Sequence, residues 1–129
     1  MKNLGIKELY FEEKNSFNYK IMYSISKETL YEKLVVIKNE SASKEKKLDI
    51  ESIRKKLSKI EKILKEFDTN YISKTILDGT EFKIMIVYDD GYVKKIVGRN
   101  KFPDGYSKFV SLVSDWLGFI FSLRKALYL

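Results

Sequence analysis

The chain has 129 residues, enough for one domain around a single core, and its 44% hydrophobic and 33% charged residues exclude a disordered polypeptide. With no Cys it forms no disulfide, and with no His it lacks the usual general base, every His-based triad and the ordinary zinc ligands. The net charge of +7 admits a nucleic-acid or other acidic partner, yet only Arg54, Arg99 and Arg124 are arginine, and abundant Lys, Ile, Asn and Tyr are also what AT-rich coding DNA produces.

The opening Met1-Lys2-Asn3-Leu4-Gly5-Ile6 carries no apolar segment of the secretory type. The longest apolar run, 116–121, is far shorter than the roughly 20 residues of a membrane span. The expectation is a cytoplasmic protein with no membrane contact.

Residues 6–13 alternate weakly, with Leu9, Phe11 and Lys7 on one pleat, and suggest a short extra strand. Asn15-Ser16 marks a turn. Tyr19, Ile21, Tyr23 and Ile25 then alternate with Lys20, Met22 and Ser24, the period-2 pattern of a half-buried strand. After the polar Ser26-Lys27-Glu28-Thr29, the β-branched Leu34-Val35-Val36-Ile37 predicts a second strand over 30–38, although a helical start at Lys27–Leu30 also fits. Residues 39–48 are polar and aperiodic and read as a loop.

The clearest helix covers 49–67. Ile50, Ile53, Leu57, Ile60, Leu64 and Phe67 form one apolar stripe, Asp49 is a suitable N-cap, and Leu48 and Ile53 occupy the hydrophobic-staple positions. Residues 71–77 read as extended and Asp78-Gly79 as a turn. Phe82, Ile84, Ile86 and Tyr88 alternate with Lys83, Met85 and Val87, and 92–97 returns after Asp89-Asp90-Gly91. Asp-Gly between alternating runs signals a two-residue hairpin turn with positive φ at both central residues. Gly98–Pro103 forms an exit loop, Asp104 can cap a last helix, and that helix runs over about 105–125.

The expected architecture is a single α+β domain over 1–129: an antiparallel sheet from two β-hairpins with two helices on one face, in ββαββα-like order. No phosphate loop, dinucleotide fingerprint, nucleophile elbow or EF-hand spacing is present. Asp78, Asp89, Asp90 and Asp104 fall in turns and serve those turns better than a cation site, so no metal, cofactor, catalytic residue or small-molecule ligand is expected.

Three surfaces remain. Lys55, Lys59 and Lys62, with Lys65 at the margin, lie opposite the stripe of helix 49–67. Segment 41–67 holds nine basic residues against five acidic ones, a face suited to a phosphate backbone or simply to solvent. Few arginines argue against specific base readout. Tyr19, Tyr23, Tyr88 and Tyr92 fall on strands, where core packing explains them better than base stacking. On helix 105–125, Phe109, Leu112, Val113, Trp116, Ile120, Leu123 and Leu127 make one wide core face, and Val110, Leu117 and Phe121 to one side with Phe119 to the other widen it to an arc of about 200°, which points either to deep burial or to a protein partner or homodimer met through Val110, Trp116, Leu117, Phe119 and Phe121.

Asp78-Gly79, Tyr88-Asp89-Asp90-Gly91 and Gly98-Arg99-Asn100-Lys101-Phe102-Pro103 before Phe109 resemble the pattern of a small uncharacterised bacterial family of low-GC Gram-positive lineages, whose members often have Trp where Phe82 stands. The resemblance covers about a quarter of the chain. It implies a ββα second half and no known activity. The position of Gly98–Pro103 between a strand and a helix makes Arg99 and Asn100 candidate loop-site residues, although a Gly bulge, a locally bonded Asn and a Pro stop explain the loop better. Small lysine-rich proteins of this kind also occur among phage-encoded inhibitors of bacterial defence complexes. The functional expectation is a non-enzymatic protein-binding module, with a nucleic-acid-associated protein using helix 49–67 as the alternative.

Overall fold

In the computed structural model, residues 5–15, 18–38, 41–72 and 79–114 are described. They form seven strands and two helices: β1 Ile6–Asn15, β2 Tyr19–Ser26, β3 Tyr31–Ile37, β4 Ser41–Lys47, α1 Ile50–Leu64, β5 Asn70–Ile72, β6 Thr80–Tyr88, β7 Val93–Arg99 and α2 Tyr106–Ser114. One mixed sheet results, in the order β4-β3-β2-β1-β6-β7-β5. Every neighbouring pair is antiparallel except β5 and β7.

The α+β class therefore holds, but the two-hairpin ββαββα arrangement does not. The first half is a four-stranded meander, and β1, expected as a marginal extra strand, sits near the middle of the sheet between β2 and β6. The expected loop over 39–48 contains β4, a strand of Ser, Ala, Lys and Glu with little β-propensity of its own. Backbone pairing of Ser41–Lys47 to Tyr31–Ile37 holds it, and tertiary context overrides propensity. The extended segment after α1 contributes Asn70–Ile72 parallel to β7; Asp78 and residues 73–77 lie outside the described residues.

The alternation read from the sequence decides the two faces. Leu9 and Phe11, Ile21, Tyr23 and Ile25, Leu34 and Val36, Ile84 and Ile86, and Ile96 all point under the helices. Ile53, Leu57, Ile60 and Leu64 of α1 and Phe109 and Val113 of α2 close the core over them. Lys7 does not share the pleat of Leu9. A bulge shifts the β1–β6 register between Ile6 and Glu8, so Ile6 is buried instead. Asp49 caps α1 as expected, its carboxylate accepting the Ser52 N–H at 2.7 Å.

The β6–β7 connection is a three-residue loop rather than a two-residue one. Tyr88 N–H donates to Tyr92 O, Gly91 N–H donates to Tyr88 O, and only Gly91 has positive φ, at 88°. This is a tight turn closed by a glycine bulge. Asp90 accepts the Tyr92 N–H at 3.0 Å, and Asp89 reaches Lys27 in the β2–β3 turn at 2.7 Å. That turn ends at Leu30 with φ 61° and contains no helix.

Two carboxylates are buried under the helices. Glu13 accepts the hydroxyls of Tyr19 at 2.7 Å and Tyr106 at 2.5 Å, tying β1, β2 and α2 together. Glu32, 1% exposed, accepts from the Tyr23 hydroxyl and from the Lys56 ammonium, tying β3, β2 and α1. Lys56, read from the sequence as part of a basic segment, is thus spent inside the fold.

Candidate functional site

Among the described residues both helices pack on one side of the sheet, which leaves the other face to be considered strand by strand. Cross-strand registers place its side chains in rows. One row runs Ile37, Lys20, Lys14, Glu81, Arg99, Ile72, and the next runs Val35, Met22, Glu12, Lys83, Val97. A third runs Lys33, Ser24, Tyr10, Met85, Lys95, and a fourth Tyr31, Ser26, Glu8, Val87, Val93. Apolar and charged groups interleave, and most of these side chains are half-buried.

The charges on this face answer one another. Glu81 accepts from Arg99 through Nη2 at 2.7 Å and Nε at 3.0 Å, with Lys14 at 3.5 Å. Glu12 accepts the Tyr10 hydroxyl at 2.9 Å and pairs with Lys20 at 3.5 Å. Lys83 lies over the Tyr10 ring, 5.9 Å from its centroid, and Lys33 pairs with Glu45 of β4 at 3.3 Å.

The titration behaviour follows from these contacts. Burial, then the bond to Glu12, pushes the Tyr10 hydroxyl up to about 12. Burial pushes the Glu12 carboxyl up, but the Tyr10 hydroxyl and the Lys20 and Lys83 ammoniums outweigh it and hold it below the ordinary value. Arg99 does the same for Glu81.

Two shallow concavities lie on the face. One, of about 330 Å³, is lined by Glu12, Lys14, Glu81, Lys83, Arg99 and Ile72, with Gly98 and Phe82 at its base. The other, of about 300 Å³, lies between Tyr10 and Met85 where β2 presents only Ser24 and Ser26.

The sequence candidates scatter relative to this face. Arg99 lies on it. Asn100 does not: with φ 57° it turns back, donates its N–H to Thr80 O, and accepts the Thr80 N–H at 3.0 Å, so it closes the β6–β7 end. Lys55, Lys59, Lys62 and Lys65 are exposed on the outer side of α1, on the helix layer, and none pairs with an acid among the described residues. Val110 is packed in the core, 5% exposed. Trp116, Leu117, Phe119 and Phe121 lie outside the described residues.

Tyr19, Tyr23 and Tyr88 face the core, which agrees with packing rather than base stacking, and Tyr92 leans on Tyr88 at 5.9 Å. The described residues contain no group of acids able to hold a metal ion, and no helix among them is long and apolar enough to cross a membrane. Sequence reading passed over Tyr10, Glu12, Met22, Lys83 and Met85. Their only signal was being the alternate residues of strands whose other side is apolar.

The chain is thus a small α+β protein whose seven-stranded sheet carries helices on one side and a patterned, charge-paired surface on the other. No protein-family model matches it, and no curated protein is similar to it in sequence.

Proposed function

We propose that the chain is a non-enzymatic, cytoplasmic binding module that meets a protein partner through the face of Tyr10, Met22 and Met85. The observation that carries this reading is the pairing of charges already present there. Lys14, Lys20 and Arg99 are engaged by Glu12 and Glu81, so they are poorly placed to neutralise a row of phosphates. Between them stand Val35, Met22, Tyr10, Met85 and Val87, and methionine and tyrosine are suited to protein contacts. The registers bring Lys14, Lys20, Lys33, Lys47, Lys83, Lys95 and Arg99 to this side against Glu8, Glu12, Glu45 and Glu81, so an apolar partner patch rimmed by acids fits best. The test is photo-cross-linking in the cells that encode the protein, with p-benzoylphenylalanine replacing Met85 or, separately, Lys59. A discrete protein adduct from position 85 and none from position 59 is the expected result. Nucleic-acid adducts from position 59 with none from 85 would overturn it.

The alternative, nucleic-acid association through α1, draws on one observation: Lys55, Lys59, Lys62 and Lys65 are exposed and have no ion-pair partner among the described residues. It predicts duplex or single-strand binding that weakens steeply with salt and vanishes on charge reversal at Lys55, Lys59 and Lys62.

A further inference from the structure

We propose that the smaller concavity, between Tyr10 and Met85, takes a single arginine side chain of the protein partner, held by Glu8. The inference rests on the protein-binding reading for the class of partner. It adds the residue type that anchors that partner and the groups that hold it.

The concavity, of about 300 Å³, opens on the side of the sheet that neither described helix covers. Tyr10, Met85 and Val87 give it apolar walls, Ser24 and Ser26 keep its β2 side low, and Glu8 stands at one end. Small-ligand pockets span roughly 300–1,000 Å³, so a site at the lower limit suits one side chain better than a whole substrate. The registers explain why the space exists. Glu8, Tyr10 and Glu12 follow one another on this side of β1, and the Tyr10 hydroxyl donates to Glu12 at 2.9 Å. The ring therefore leans toward Glu12 and away from Glu8. Ser24 stands opposite Tyr10 and Ser26 opposite Glu8, and both are too short to fill the gap.

Glu8 decides the occupant. Of the four acids that the registers bring to this side, Glu12, Glu45 and Glu81 each pair with a lysine or arginine. Glu8 has no ion-pair partner among the described residues. Its Oε1 accepts the Ser26 hydroxyl at 3.3 Å, long for such a bond. That hydroxyl in turn accepts the Glu28 and Thr29 N–H groups, so Ser26 has nothing more to give. No described lysine or arginine lines the concavity. A polypeptide closing over this carboxylate without a cation would leave a charge buried and unpaired, which is costly. Arginine fits each part of the site. Its aliphatic stem lies against Met85 and Val87, and its planar fork pairs with both carboxylate oxygens. Lysine's compact ammonium is more strongly hydrated and lacks that fork.

The experiment follows isotope-labelled methionine methyl signals of the full chain by NMR. Met85 reports on the concavity, and Met22, one row away, on the face beside it. The probes are capped Val-Arg-Val, the same peptide with lysine or with citrulline, the neutral isostere, in place of arginine, and free arginine. Expected are a saturable shift of the Met85 methyl with Val-Arg-Val, an affinity about tenfold or more above that of the citrulline peptide, and loss of this difference in the isosteric Glu8→Gln. Ser24→Leu, which fills the concavity and leaves Glu8 in place, should abolish binding while the amide spectrum stays that of the folded chain. An unmoved Met85 signal overturns the proposal. So does equal affinity for the citrulline or lysine peptide, or discrimination that survives Glu8→Gln. Free arginine binding as tightly as the peptide overturns it in favour of a small cationic ligand. Photo-cross-linking from p-benzoylphenylalanine at Met22, on the face but outside the concavity, separates the two readings. A discrete protein adduct there beside a failed arginine peptide condemns the arginine site alone. Arginine-peptide binding with no protein adduct from Met22 or Met85 positions condemns the protein-binding reading and leaves the arginine site standing.

Discussion

Replacing Gly98 by alanine tests how tightly the base of the larger concavity is built. Gly98 lies directly across from Phe82, and a Cβ at Gly98 would fall 2.0 Å from the Phe82 Cε1 and 2.6 Å from Cζ. The ring has no easy retreat. It is 3% exposed, stacked on Phe102 at 5.5 Å, tilted against Tyr106 at 4.8 Å, and flanked by Tyr71 at 6.3 Å. Alanine gains about 0.5–1 kcal/mol by restricting the unfolded chain, while overpacking a closed site costs about 1–3 kcal/mol or more. The net loss is then about 2 kcal/mol, or a fall in melting temperature of roughly 6–10 °C for a domain of this size. Urea titration and thermal circular dichroism measure both. In Phe82→Leu/Gly98→Ala the smaller side chain makes room for the new methyl, so the double variant should be at least about 1 kcal/mol more stable than the two single losses summed. An unfolding midpoint for Gly98→Ala equal to the parent's, or strict additivity in the cycle, would refute the reasoning.

Removing one partner of the buried Glu32–Lys56 pair should cost about 3 kcal/mol in Lys56→Met, whereas Glu32→Leu/Lys56→Met should lie within about 1 kcal/mol of the parent; chemical denaturation distinguishes the two. Asn100→Ala should lose about 1–2 kcal/mol, and Asn100→Gly less, because both forfeit the bond to Thr80 but glycine adopts the φ of 57° without strain. Tyr10 should titrate near 12, against 10.0 in the unfolded chain, so its contribution to stability is present below pH 10 and fades above it; ultraviolet difference titration of the parent against Tyr10→Phe reads this. Glu12 and Glu81 have folded pKa values below the ordinary 4.5, so their contribution is complete above that value and disappears as pH falls through the lower folded values. Arg99→Ala should flatten the Glu81 part of that acid limb in stability measured as a function of pH.

The alternating runs of β2 and β6 and the stripe of α1 were legible because each is a local period set against one apolar side. Ile84 and Ile86, and Ile53, Leu57, Ile60 and Leu64, lie where that period puts them. β4 was not legible, because Ser41–Lys47 has neither β-branched residues nor alternation and is a strand only by pairing with β3. The Asp89-Asp90-Gly91 turn was legible in place but not in kind, since a single positive φ at Gly91 satisfies it. The buried roles of Glu13 and Glu32 were hidden for a different reason. Both fall at inward positions of strands, but their partners Tyr106 and Lys56 come from helices distant in sequence. The candidate face was legible only as a set of alternate residues. That neither described helix covers it depends on α1 and α2 choosing the same side, which no local pattern encodes.

The distribution of charge on the open face is what favours the proposed protein partner there over a phosphate backbone. On the open face Lys14, Arg99 and Glu81 already hold each other, as do Lys20, Glu12 and the Tyr10 hydroxyl, so their side-chain order exists before any partner arrives. Binding then has less rotamer freedom left to freeze, and the apolar Met22, Val35 and Met85 between these clusters can be covered without stranding a charge.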